Sequence, residues 1–139
     1  MFQLDPRLGN DTVPVTSLDL CRVLLMNDAR YPWLILVPAR DGLSELHDLT
    51  AADQLLLNDE IMRASRAMMK LFTPEKINVG TLGNIVRQLH IHVVARRTDD
   101  PAWPGPVWGH SPAELYAAEQ IADMQLRLAA VFAPRNAGV

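Results

Sequence analysis

The segment Gln88-Leu89-His90-Ile91-His92-Val93-Val94 constrains this chain more than any other. Polar and apolar residues alternate from Gln88 to Val93, the period of a β-strand buried on one face. Read as a strand, the segment turns Leu89, Ile91 and Val93 into a core and sets Gln88, His90 and His92 together on the reverse face. Three readings of that face stand side by side. It is a solvated strand surface; or a metal-chelating pair, since imidazoles at this spacing chelate, although no Cys, Asp or Glu follows at ligand spacing; or a reactive surface. The turn Gly80-Thr81-Leu82-Gly83-Asn84 just upstream favours the third. Small residues there let backbone N–H groups approach phosphate oxygens.

The rest of the chain supplies partners for such a strand. Residues 1–17 carry turn signals at Asp5-Pro6, Gly9-Asn10 and Pro14, and read as an arm or edge hairpin. Leu20 to Met26 and Trp33 to Val37 read as two strands of an antiparallel hairpin, joined by Asn27 to Pro32 and closed by Pro38. Thr50 N-caps a long helix, with Asp53 as an acidic capping-box partner. Leu55, Leu56, Ile61, Met62, Met68, Met69 and Phe72 mark its apolar positions up to Thr73-Pro74. Lys76 to Gly80 is a third strand and Leu89 to Arg96 a fourth. Ser111-Pro112-Ala113-Glu114 has the form of a helix start, so a last helix is expected from Pro112 to about Val131, with Leu115, Ala118, Ala122 and Leu128 facing inward. The order predicts an α+β domain with helices packed on an antiparallel sheet.

Composition narrows the function classes. The 139 residues make one domain, and 49% hydrophobic residues suffice for a core. A net charge of −3 argues against a broad nucleic-acid surface. The single cysteine, Cys21, excludes a disulfide-stapled scaffold and fits a reducing cytoplasm. The longest apolar run, Trp33 to Pro38, is strand-sized rather than membrane-spanning, and Asp5, Pro6 and Arg7 interrupt anything like a signal peptide. No nucleic-acid or membrane partner is expected.

Asn78-Val79-Gly80, Gly83-Asn84 and Gln88-Leu89-His90-Ile91-His92-Val93-Val94 together resemble the signature of the histidine triad (HIT) family of nucleotide hydrolases and transferases. The family pattern is His-φ-His-φ-His-φ-φ (φ apolar) after an Asn-x-Gly strand and a Gly-Gln turn. The chain is similar to a bacterial-type member with Gln88 at the first histidine, and the likeness covers roughly residues 20 to 97. The resemblance implies a HIT-like antiparallel sheet of about five strands, one long central helix and a C-terminal helix with tail over 110–139. It implies that His90 is the nucleophile, that His92 contacts the phosphate and supports the leaving group, and that Gln88 completes the catalytic set. Asn78, Gly83 and Asn84 fall at the phosphate, and Asn27 or Asp28 at the ribose. It further implies a purine nucleotide or nucleotide conjugate as ligand, a homodimer, and no metal or other cofactor.

The chain departs from the pattern at Gln88, which cannot carry a proton charge, at Asn84, one carbon shorter than glutamine, at Ile85, where a hydroxyl often stands, and at Asp41, where many members have histidine. These departures leave a nucleotide-binding or signalling module without turnover as the alternative, and a His-based metal protein as a further one. Trp103 and Trp108 read equally as cover for a loop or as walls of a site or subunit contact, and Arg96 and Arg97 as a solvated strand end or, for one of them, a phosphate contact. His47 and His110 read as surface residues, and Cys21 as a buried strand residue.

Overall fold

A computed structural model describes residues 1–133. Its elements are α1 (Pro6–Asp11), β1 (Thr12–Ser17), β2 (Cys21–Met26), β3 (Trp33–Pro38), α2 (Ala51–Phe72), β4 (Lys76–Gly80), β5 (Ile91–Arg96) and α3 (Ala118–Phe132), with a 3₁₀ turn at Leu46–Asp48. The strands form one five-stranded sheet in the order β1-β2-β3-β5-β4. Every neighbouring pair is antiparallel. This is the expected α+β architecture.

Strand alternation divides the molecule in two. Val23, Leu25, Leu34, Leu36, Ile91, Val93 and Ala95 point to one side, where α2 and α3 cover them with Leu57, Ala64, Met68, Met124, Leu128 and Phe132. Leu24, Trp33, Ile35, Val37 and Val94 point to the other, where Leu8, Tyr31, Ala102 and Val107 of the arm and loops meet them. His92 lies between Val94 and His90 on this second side, opposite Ile35 in the β3–β5 register and Gly80 in the β4–β5 register.

The long helix begins as expected, with the Thr50 hydroxyl accepting from Asp53 N–H at 3.1 Å. The Asp53 carboxylate is taken instead by Arg40, at 2.9 and 3.3 Å. The inward stripe of α2 is Leu57, Glu60, Ala64, Ala67 and Met68. Of the expected apolar positions Met68 is buried and Leu56, Ile61 and Phe72 are partly buried, whereas Leu55, Met62 and Met69 are exposed. Small Ala64 and Ala67 face inward beside Leu57 and Met68, and the remaining large side chains lie on the flanks and the outer face. Buried Glu60 accepts from the N–H groups of Leu20 and Cys21 at 2.9 and 2.8 Å, tying the helix to the start of β2.

The last helix corrects the sequence reading. It starts at Ala118, not Pro112. Residues 111–117 lie along the β2–β3 connection, where Glu114 carbonyl accepts from Ala29 N–H at 2.7 Å and Tyr116 N–H donates to Asn27 Oδ1 at 2.9 Å. Those bonds satisfy backbone groups that a helix would have used, so tertiary pairing overrides a favourable local start. Ile121, Met124, Leu128 and Phe132 face inward; Leu115, Ala118 and Ala122 are exposed. Tail residues 134–139 lie outside the described residues. The arm does form the edge strand β1, and adds the short helix α1, which Asp5 caps by accepting from Arg7 N–H at 2.9 Å. Leu89 and His90 precede β5 rather than belong to it; Leu89 N–H donates to Leu43 carbonyl at 3.0 Å.

Candidate active site

On the second face of the sheet lies a cavity of about 700 Å³. Its floor carries His90, His92, Trp33 and Ile35; Leu8, Asn10 and Asp11 line it from the arm, Asn27, Asp28 and Arg30 from the β2–β3 connection, and Asn84, Ile85, Val107 and Trp108 from the loops around β4 and β5. A cavity of this size, mostly apolar with a few converging polar groups, suits a small-molecule ligand.

The two histidines are held in complementary tautomers. His90 is 4% exposed, and its Nδ1 lies 2.7 Å from the Gln88 carbonyl oxygen. A carbonyl only accepts, so Nδ1 carries a proton, and in the neutral ring Nε2 keeps a free lone pair. His92 is 5% exposed, and its Nδ1 accepts from Trp33 Nε1–H at 2.9 Å. An indole only donates, so Nδ1 is bare and the neutral ring carries its proton on Nε2. Burial, with neighbouring His90 in support, pushes the His92 pKa down to about 3. His92 is therefore neutral at pH 7 and presents an N–H donor. The rings lie edge to face with centroids 5.0 Å apart. One imidazole offers a lone pair, and its neighbour offers a hydrogen-bond donor.

Trp108 stands against His92 with ring centroids 5.2 Å apart. Gly80 makes room for it, because a Cβ there would sit 3.0 Å from the indole ring. Trp103 has a different place: its ring packs 5.8 Å from the Arg96 guanidinium. Trp108 is thus a wall of the site, and Trp103 is loop packing.

Arg96 is no solvated strand end. It is 1% exposed and binds Asp100 at 2.7 and 3.0 Å, Asn78 Oδ1 at 2.8 Å and Gly105 carbonyl at 2.8 Å. This network fastens the loop that carries Val107 and Trp108. It also engages Asn78, which is absent from the cavity wall. Arg97 is exposed as expected.

Asn27 and Asp28 both reach the cavity, one tied by Tyr116 N–H and the other by Arg30. The buried Asp28 carboxylate accepts from Arg30 Nε at 3.0 Å and Nη2 at 2.9 Å, and Arg30 continues to the Ser111 hydroxyl and carbonyl. Asn84 lines the cavity. Gly83 sits against its own loop, where a Cβ would lie 3.3 Å from Val86 carbonyl oxygen.

Gln88 does not share the cavity with the histidines. Its side-chain oxygen accepts from Asp5 N–H and its amide donates to Gln3 carbonyl, both at 2.8 Å. Strict alternation fails here because β5 begins only at Ile91 and the preceding turn rotates Gln88 toward the arm. His47 and His110 are exposed, and Cys21 is buried, its thiol pKa raised by burial and by Glu60. Among the described residues no group of three or more His, Cys, Asp or Glu is placed to hold a metal ion. Sequence reasoning missed Leu8, Asn10, Asp11, Arg30 and Trp33. Only topology brings the arm and β3 beside the histidines, and the Asp28-Ala29-Arg30 spacing was the one local signal.

Residues 7–99 match the HIT domain family. The chain is similar in sequence and structure to a histidine triad protein from Sinorhizobium meliloti 1021, with 50% identity, 91% of this chain and 94% of that one covered, and a TM-score of 0.89. A histidine triad protein from Marinobacter aquaeolei VT8 shows 46% identity, coverage of 94% and 96%, and a TM-score of 0.91. A hypothetical histidine triad nucleotide-binding protein from Sulfolobus tokodaii strain 7 shares the fold at 15% identity, with 86% and 83% covered and a TM-score of 0.62. No curated protein matches the chain significantly. The chain belongs to the HIT domain family.

Proposed function

We propose that this protein is a nucleotide hydrolase or transferase that cleaves a nucleotidyl P–N or P–O bond through a covalent nucleotidyl-histidine on His90. The observation that carries this reading is the tautomer pair: a lone pair on His90 Nε2 beside an N–H donor on His92 Nε2, at the floor of a ligand-sized cavity. His90 Nε2 attacks the α-phosphorus while the bond to the leaving group breaks and that group takes up a proton from solvent. His92 donates to a non-bridging oxygen, stabilising charge as it develops. Water then displaces the nucleoside monophosphate and frees His90. Asn27 and Asp28 face the ribose, and Asn84 with the Gly83 turn the phosphate. The nucleotide-binding name of the Sulfolobus tokodaii protein supports the ligand class.

The chain is read as a single domain working as a cytoplasmic homodimer on a purine nucleotide or nucleotide conjugate. No helix among the described residues is long and apolar enough to cross a membrane. The free edge of β4 and exposed Val79, Met62 and Met69 support self-association. A second reading, a nucleotide-binding module without turnover, is favoured by one observation: Gln88 supplies no group to the cavity. Turnover of an adenosine phosphoramidate and a diadenosine polyphosphate by wild type and His90→Ala, with EDTA present, separates the two. Release of AMP by wild type alone supports the hydrolase, and the better substrate names the bond. AMP binding without turnover by either protein supports the binding module.

A further inference from the structure

We propose that Gln88 is a positioning residue: its side-chain amide clasps the N-terminal arm so that α1 closes one wall of the cavity, and it takes no part in the chemistry. The inference rests on the reading of the cavity as a nucleotide site.

A carboxamide presents an acceptor and a donor side by side, facing one way. Gln88 uses both on one extended piece of arm, accepting from Asp5 N–H and donating to Gln3 carbonyl at 2.8 Å each. It pairs with the arm as a neighbouring strand would. The two ring nitrogens of an imidazole point widely apart and cannot bracket the same two peptide groups, so a histidine at this position loses the clasp. From the clasp the chain runs directly into α1. Arg7 donates to the Ile85 carbonyl at 2.9 Å, and Leu8 is buried in the cavity wall with Asn10 and Asp11 beside it. The Asp11 carbonyl accepts from Asn27 N–H at 2.9 Å, which joins this wall to the Asn27–Asp28 wall. The bond that fixes the His90 tautomer comes from the Gln88 main-chain carbonyl, which any residue at that position supplies. Replacing the side chain therefore loosens the ligand wall and leaves the nucleophile as it is.

The test compares wild type, Gln88→Ala and Gln88→His in steady-state hydrolysis of an adenosine phosphoramidate, with AMP affinity and hydrogen exchange at the Asp5 amide measured on the same proteins. Both variants should raise KM and the AMP Kd about tenfold, the scale of one or two lost hydrogen bonds. Their kcat should stay within about twofold of wild type. Exchange at Asp5 should quicken in both. Asp5→Pro removes the N–H that Gln88 accepts, and the Asp5 φ of −55° suits proline. Against Asp5→Ala, which loses the same cap but keeps the N–H, it should raise KM further in the wild-type background and not in Gln88→Ala. A fall in kcat at unchanged KM, or a higher kcat in Gln88→His, would place Gln88 in the chemistry and overturn the proposal. So would unchanged KM and Asp5 exchange in Gln88→Ala. Should wild type neither bind AMP nor hydrolyse the phosphoramidate, the nucleotide reading fails. Asp5 exchange then decides the clasp alone: faster in Gln88→Ala supports it, and unchanged overturns it.

Discussion

The two faces of the sheet are built by different means. The helix-covered face is closed by apolar side chains at regular spacing, from Leu57, Ala64 and Met68 to Met124, Leu128 and Phe132. The other face is covered by irregular segments held through polar ties: Asp28–Arg30–Ser111, Asn78–Arg96–Asp100, and Gln88 with the arm. Apolar helices pack until no space is left, since interiors approach crystal density. Loops fixed at a few hydrogen-bonded points span the sheet and leave a cavity beneath. One face is packed shut, and the other gives up some packing to hold a site.

The sharpest way to break that contrast is to strike one residue on each face. His90→Ala should lower turnover by roughly a thousandfold or more, as the loss of a nucleophile does, with little change in denaturation midpoint. Leu128→Ala, beneath α3, should do the reverse: a loss of about 2–5 kcal/mol in urea unfolding, and near-normal kcat in the fraction that remains folded. If Leu128→Ala left stability intact while His90→Ala unfolded the protein, the division of labour would be wrong.

Arg96→Met tests whether the polar ties are what hold the loop face. It leaves the mostly buried Asp100 without its cation. Breaking a buried pair in this way costs about 3–5 kcal/mol. Protease sensitivity should rise between Thr98 and Gly109, ahead of any change in α2. Equal sensitivity in both regions would show that the loop is not fastened separately.

The last effect emerges only in acid. His92 has a folded-state pKa of about 3, below its ordinary 6.5, because burial disfavours its charged form. The neutral ring is what the fold accommodates, so this contribution is whole above pH 6.5 and is lost as pH falls toward 3. Over that window the wild type should lose on the order of a few kcal/mol more than His92→Gln, which has no proton to take up. Parallel pH–stability curves for the two proteins would contradict the assignment.

Legibility followed local pattern rather than face. Period-two strands and the Thr50 cap were readable because local pattern and burial agree there. The inward stripe of α2 was read less well, because small Ala64 and Ala67 face the sheet while Leu55 and Met62 stand outside. The histidine pair was readable from spacing. Its surroundings were not, since Trp33 reaches His92 only through the β3–β5 register, and α1 reaches the cavity only through the arm's path. The helix expected at Pro112 failed for a related reason: Glu114 and Tyr116 bond to residues in the β2–β3 connection, which no local window contains.

The central claim is that His90 carries the nucleotidyl group. Acid-quenched mixtures of the protein and an adenosine phosphoramidate, digested and examined by mass spectrometry, test it directly. The account predicts one adenylyl group on the peptide containing His90 and none in His90→Ala. Turnover without an adduct in any quenched sample, or the same adduct on another residue in His90→Ala with activity retained, would contradict it.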